Sequence, residues 1–261
     1  MNLKYPIILV HGIAVQERKK FMNIHLWGRI PETLREQGIK VFFGKTDAWG
    51  TYDSNALLLK ATIEKVLEKT KSEKVNIIAH SKGGLDARYL IWKCHFGDKV
   101  ASLTTISTPN GGAEVADLLH KQKALHSNLA KKALKKMEKL YGDISPNAYL
   151  VNEELTTEKM KEFNAKVIMD KTVYCQSIYS TMRNSFDDLV FFYPHSYIHK
   201  VAGANDGLVS EQSAQWGQKT VKINGGISHT EIIDFKQKNI SGINIPELYL
   251  NIIENLSQMG F

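Results

Sequence analysis

The stretch that decides the fold is Val75-Asn76-Ile77-Ile78-Ala79-His80-Ser81-Lys82-Gly83-Gly84, an apolar run, a serine with small residues two positions to either side, and a helical pattern from Gly84 to Cys94. A strand that turns sharply into a helix at a serine strains the backbone and crowds the positions around it. Only Gly or Ala then fits at 79 and 83, and the serine Oγ projects at the carboxyl end of a sheet. Ala79 stands where the common form of this turn has Gly, and a methyl group is the only addition.

Outward from this turn, short β-branched runs alternate with longer helical patterns, the signature of βαβ units around a mainly parallel sheet. The expected strands are Ile7 to Val10, Lys40 to Phe43, Val75 to Ala79, Val100 to Ile106, Val173 to Tyr179, Ile198 to Ala202 and, more weakly patterned, Thr220 to Ile223. Leu57-Leu58-Leu59, Ile63, Val66 and Leu67 recur at helical spacing. The reading is a three-layer α/β sandwich forming one domain over 1–261. From Glu114 to Tyr141 the rhythm breaks. Val115, Leu118, Leu119, Leu125, Leu129, Leu134, Met137 and Leu140 repeat every three or four residues with no strand pattern between them, so 113–165 reads as a helical insertion. Its polar positions hold Lys121, Lys123, Lys131, Lys132, Lys135, Lys136 and Lys139. The plain interpretation of such a segment is a solvated amphipathic helix pair packed on the sheet.

The 261 residues carry 43% hydrophobic content with 6 prolines and 18 glycines, enough to bury one large core, and this excludes a disordered chain or a small disulfide scaffold. Lys+Arg outnumber Asp+Glu by 34 to 27, and the formal charge of +7 favours anionic surfaces. Nucleic acid finds no support beyond that charge, because no helix-turn-helix, RNA-binding aromatic signature or zinc finger is present. The 2 cysteines, Cys94 and Cys175, are expected to be buried free thiols. No apolar run is long enough to span a bilayer. Met1 to Val10 lacks the pattern of a signal peptide, so the expectation is cytoplasmic if Met1 is the native start and secreted if a signal has been removed.

A serine hydroxyl is a poor nucleophile until a base takes its proton, so Ser81 needs a histidine and an acid that orients it, in the chain order Ser, Asp/Glu, His. Of 9 histidines, His11, His25 and His80 lie before the serine, and His95, His120 and His126 precede any plausible acid. His195, His199 and His229 remain. Asp206, in Asn205-Asp206-Gly207-Leu208-Val209, is expected in a loop just after a strand ending at Ala202, and only His229 follows it. The oxyanion formed on attack needs preorganised donors, each worth about 2.7–4 kcal/mol. The backbone N–H groups of Ile13, after His11-Gly12, and of Lys82 are the expected pair. This chemistry requires no cofactor.

Taken together, Tyr5 to Gly12, Val75 to Gly84, Ser107-Thr108-Pro109-Asn110-Gly111-Gly112, Phe163-Asn164-Ala165-Lys166 and Asn205 to Val209 resemble the α/β-hydrolase superfamily, and more narrowly its bacterial lidded triacylglycerol lipases. The resemblance implies an α/β-hydrolase fold and an ester or acylglycerol substrate met at a lipid–water interface. It also implies that the 113–165 insertion is a lid whose apolar face covers the site in water and turns toward lipid. Such relatives hold a structural calcium ion beside the catalytic histidine loop, which implies Asp187 or Asp188, together with Glu231, as its ligands here. A rival zinc site of His195, His199 and Asp187 is opposed by Pro194, which is expected to disfavour a helix there, and by the lack of any further motif. With the same three residues, a short-chain carboxylesterase, a polyester depolymerase or a phospholipase is the alternative. From another class comes a non-catalytic basic protein docked on a membrane surface.

Overall fold

The computed structural model describes residues 3–13, 26–122 and 143–261. Six strands, β1 (Ile7–Val10), β2 (Val41–Phe43), β3 (Val75–His80), β4 (Val100–Ile106), β5 (Tyr174–Ser180) and β6 (Lys219–Ile223), form one sheet in the order β2-β1-β3-β4-β5-β6. Every neighbouring pair is parallel, so the sheet expected to be mainly parallel is parallel throughout the described residues. Parallel strands need helices on both faces, which is why β1, β3 and β4 are buried along their whole length.

Alternate side chains of a strand point to opposite faces. Ile8 and Val10 of β1 face one layer with Ile77 and Ala79 of β3, under α2 (Tyr52–Thr70) and α3 (Lys82–Lys93) through Leu59, Ile63, Leu85 and Leu90. Ile7 and Leu9 face the other layer with Ile78, under α1 (Ile30–Glu36) and the helix Ile245–Gln258 through Ile30, Leu34, Tyr249 and Ile253. The middle of the sandwich is thus buried on both sides, and β3 at its centre delivers Ser81 to the carboxyl edge.

Between β4 and β5 the described residues contain α4 (Glu114–Lys121) and the helices Ala148–Glu154 and Thr157–Lys166, with an isolated bridge from Gly50 to Pro146 and no strand. Asp117 accepts from the backbone N–H and hydroxyl of Thr157 at 2.9 and 2.8 Å, and Glu114 accepts from Ser210 Oγ at 2.7 Å, so α4 is tied both to its neighbour and to the main sandwich. The expected lid residues between Gln122 and Asp143, including Lys123, Lys131, Lys132, Lys135, Lys136 and Lys139, lie outside the described residues, as do His25 and His126.

Two expectations are corrected. Ile198 to Ala202 is the last part of a helix, Phe192–Ala202, and not a strand; Pro194, expected to oppose a helix here, is accommodated in its first turn, where the missing N–H would have no partner within the helix. His195 and Ile198 are buried on its inner face while His199, Lys200 and Val201 face outward, a three-residue spacing that the β-branched content of the segment disguises. Both thiols are free as expected, but only Cys175 is buried, with Cys94 half-buried at the end of α3.

The turn after β3 leaves little room. A Cβ on Gly83 would stand 2.4 Å from the carbonyl oxygen of His11 and 2.8 Å from that of Val10, both backbone atoms that cannot swing aside. Gly83→Ala is expected to destabilise the fold by at least about 1–3 kcal/mol, measured as a lower urea midpoint at unchanged slope.

Candidate active site

Ser81 sits between β3 and α3 at φ 54° and ψ −134°, a conformation that L side chains rarely adopt. Its N–H donates to the carbonyl of Ile106 at 2.9 Å, which holds the turn to β4. The chain leaving β1 passes against it: a Cβ on Gly12 would lie 2.6 Å from Ser81 Cβ and 3.0 Å from Oγ. Gly84 is pressed in the same way on Thr108, whose Oγ1 would be 2.3 Å from an added Cβ. The residues expected to supply the oxyanion donors adjoin these close contacts in the chain. Lys82 opens α3, where the first N–H groups have no partner within the helix, and Ile13 directly follows Gly12.

Asp206 and His229 meet as the sequence order suggests. Asp206 Oδ2 is 2.9 Å from His229 Nδ1, and the N–H of His229 donates to the Asp206 carbonyl at 2.8 Å. The other carboxylate oxygen, Oδ1, accepts from the backbone N–H groups of Leu208 at 3.0 Å and Val209 at 2.8 Å. Burial works against a charge on Asp206, but His229 and these N–H donors outweigh it and hold the carboxyl below its ordinary range. The imidazole of His229 packs on that of His80, with ring centroids 4.6 Å apart, which places it next to the residue preceding Ser81. Phe191 closes another side at 6.4 Å, and Gly207, at φ 103°, fits because it lacks a Cβ, which would stand 2.5 Å from Phe191 Cβ. Asp206 thus follows the helix Phe192–Ala202, not the expected strand, yet reaches the same carboxyl edge of the sheet.

Several supporting residues are not singled out by the sequence. The Lys82 side chain runs inward to a buried ion pair with Asp86, one helical turn on, and Asn55 of α2 donates to the second oxygen of Asp86 at 2.9 Å. This fixes the residue after the serine to two helices, and its signal in the sequence is the i,i+4 spacing of Lys82 and Asp86. Arg88 donates to Asn110 at 3.0 Å and to Asn164 at 2.7 Å between the rings of Phe163 and Trp216, which gives the Phe163-Asn164 pair a structural task.

The expected metal residues do not come together as a set. Asp187 is held by Arg183 at 2.8 Å, while Asp188 and Glu231 converge on Lys236. The rings of His195 and His199 stack 5.9 Å apart, but Asp187 is engaged by Arg183, and no group of three His, Cys, Asp or Glu suited to a metal ion occurs among the described residues.

Residues 6–237 match the model of a family described as palmitoyl protein thioesterase. The chain belongs to this family. It is similar to triacylglycerol lipase 2 of Saccharomyces cerevisiae, 30% identical over an alignment of 262 positions that spans 92% of this chain and 76% of that protein. A triacylglycerol lipase of Pseudarthrobacter phenanthrenivorans is 38% identical over 120 residues, 44% of this chain but only 36% of that protein. Among solved structures, Staphylococcus hyicus lipase superposes with a TM-score of 0.74 at 18% identity, covering 98% of this chain and 96% of that one. Mature Bacillus licheniformis lipase superposes at 0.70 and 21% identity, covering 96% and 92%. The fold is therefore the α/β-hydrolase fold, and the family makes the chain an ester hydrolase.

His80 supplies a test of this packing. Burial first, and then the adjacent His229, push it from 6.5 down to about 3, so it is neutral and donates from Nε2 to the His229 carbonyl at 2.9 Å. The unfolded chain takes up a proton here as pH falls through 6.5 and the folded chain does not until about 3, so stability drops with pH across that window, by up to about 1.4 kcal/mol per unit. Above it this residue has no effect. His80→Gln keeps an N–H donor and is expected to flatten the decline in urea-unfolding free energy between pH 6.5 and 4, measured beside the wild type.

Proposed function

We propose that this chain hydrolyses acylglycerol esters at a lipid–water interface through an acyl-enzyme on Ser81. The observation that carries the reading is the buried Asp206–His229 pair at 2.9 Å, lying against the strand residue that precedes a strained serine. In this mechanism the Asp206 carboxylate holds the Nδ1–H of His229, leaving Nε2 free to take a proton. Ser81 Oγ attacks the ester carbonyl as its proton passes to Nε2, and the N–H groups of Ile13 and Lys82 meet the charge that develops on the carbonyl oxygen. Collapse breaks the C–O bond to the alcohol, which leaves with the proton from Nε2. Water, deprotonated by the same nitrogen, then attacks the acyl-Ser81 ester and releases the acid and the free serine.

The acylglycerol part of the proposal is supported by the lipase names of the relatives and by the surface beside His229. Phe186, Leu189, Val190 and Tyr193 are 71–83% exposed in the segment that carries Phe191 onto the histidine. An apolar rim of this kind suits an insoluble substrate better than a soluble short ester. We assign the 113–165 segment the role of a cover over the site, consistent with Leu119 and Leu150 exposed on its helices. The description of the family favours a second reading, a long-chain acyl thioester, which the same three residues would cleave by the same steps.

Ser81→Ala is expected to lower kcat on p-nitrophenyl esters by about 10⁴-fold or more, and Asp206→Asn by about 10⁴-fold through loss of the correct histidine tautomer. For the substrate, initial rates on emulsified long-chain triacylglycerol, soluble butyrate esters and palmitoyl thioester are compared. The proposal expects the emulsion to be turned over fastest; a preference for soluble butyrate makes the chain a short-chain esterase, and a preference for palmitoyl thioester supports the second reading.

A further inference from the structure

The loop that carries His229 is fastened to the segment before the Phe192–Ala202 helix by one compact polar cluster. Asp188 and Glu231 are 4% and 3% exposed, and both reach Lys236 Nζ, at 2.9 and 2.8 Å. Ser228, directly before His229, joins them: its Oγ donates to Asp188 Oδ2 at 2.7 Å and its N–H to Glu231 Oε2 at 2.9 Å. The last oxygen, Asp188 Oδ1, accepts from the N–H of Val190 at 3.3 Å. Each carboxylate oxygen of the pair thus already faces a donor.

Calcium asks for six to eight oxygens at about 2.3–2.6 Å with their lone pairs free. Asp188 and Glu231 cannot offer that while an ammonium group lies between them, and a divalent ion placed there would meet the positive charge of Lys236 at close range. Asp187 cannot replace them, because its oxygens accept from the Arg183 guanidinium at 2.8 Å and from the Arg183 N–H at 2.6 Å. The residues present do not fit the ion.

We infer that the Lys236 ammonium is a built-in cation that takes the structural place of a metal, and that through Ser228 it is a positioning residue for His229. One positive charge with two N–H donors bridges two buried carboxylates from different segments, and the bridge sets where the histidine loop sits relative to Ser81. The protein then needs no divalent ion for stability or turnover.

The activity part of this inference rests on the role proposed for His229, but its thermal part does not. Tm and p-nitrophenyl butyrate kinetics are measured for the wild type in EDTA and in millimolar CaCl2, and for Lys236→Met and Lys236→Arg under both conditions. Wild-type Tm and kcat are expected to be the same in EDTA and calcium. Lys236→Met is expected to lose about 5 °C or more in Tm and about 10-fold in kcat with little change in KM, since the loop holds the base and not the substrate. Calcium raises the Tm of Lys236→Met but not that of the wild type, because removing the ammonium frees the carboxylates. Lys236→Arg retains most of the kcat. A wild type that loses Tm or activity in EDTA and regains it with calcium overturns the inference, as does a Lys236→Met protein with wild-type Tm and kcat. If Lys236→Met does not fold, the wild-type comparison and Lys236→Arg still decide. Loss of all activity in the wild type with Tm behaving as stated counts against the catalytic reading alone.

Discussion

The backbone of Ser81, held at φ 54° between the central strand and its helix, is the constraint on which the rest depends. A residue in this region costs on the order of 1–3 kcal/mol unless its surroundings over-determine it. Here they do. The N–H of Ser81 is tied to Ile106, Gly84 N–H returns to the Ser81 carbonyl at 3.1 Å, and Gly12 and Gly83 bring the end of β1 within van der Waals distance. The same crowding that stores the strain also brings the backbone after Gly12 beside the serine. The proposed nucleophile and oxyanion donors are in this way products of one packing problem, solved by Gly12, Gly83 and Gly84, where an added Cβ has no space.

Around that turn, polar groups are buried only where they are paired. Lys82 and Asp86 bring opposite charges into the core with Asn55 completing the second oxygen, and removing one partner of such a pair costs about 3–5 kcal/mol. Asp188 and Glu231 lie around Lys236 in a similar arrangement at the histidine loop. One cluster fixes the residue after the serine and the other fixes the residue before the histidine. The apolar clusters on the two faces of the sheet supply cohesion, and these ion pairs supply placement.

The sequence reveals most of what is local. Ile7 to Val10, Val75 to Ala79 and Val100 to Ile106 are legible as strands because residues buried on both faces read as short runs rich in apolar and β-branched residues, bounded by turns. Ser81, Asp206 and His229 are legible because the elbow is a contiguous pattern and the chain order leaves one histidine after the acid. The helix Phe192–Ala202 is not, since its β-branched residues mimic a strand and only packing of His195 and Ile198 reveals its period. Lys236 escapes because Asp188 is 48 positions away and the five-residue step to its nearer partner, Glu231, matches no helical spacing. The acidic residues near the histidine are pointed to by the family resemblance alone; the ammonium that pairs with Asp188 and Glu231 emerges only in three dimensions.

The central claim is that the strained elbow presents Ser81 as the nucleophile. It is tested most directly by reacting the protein with a fluorophosphonate and locating the adduct by tandem mass spectrometry of its peptides. The account predicts a single stoichiometric adduct on Ser81 that forms in the native protein and not after denaturation in urea. An adduct on any other residue, or none at all in a protein that turns over esters, would contradict it.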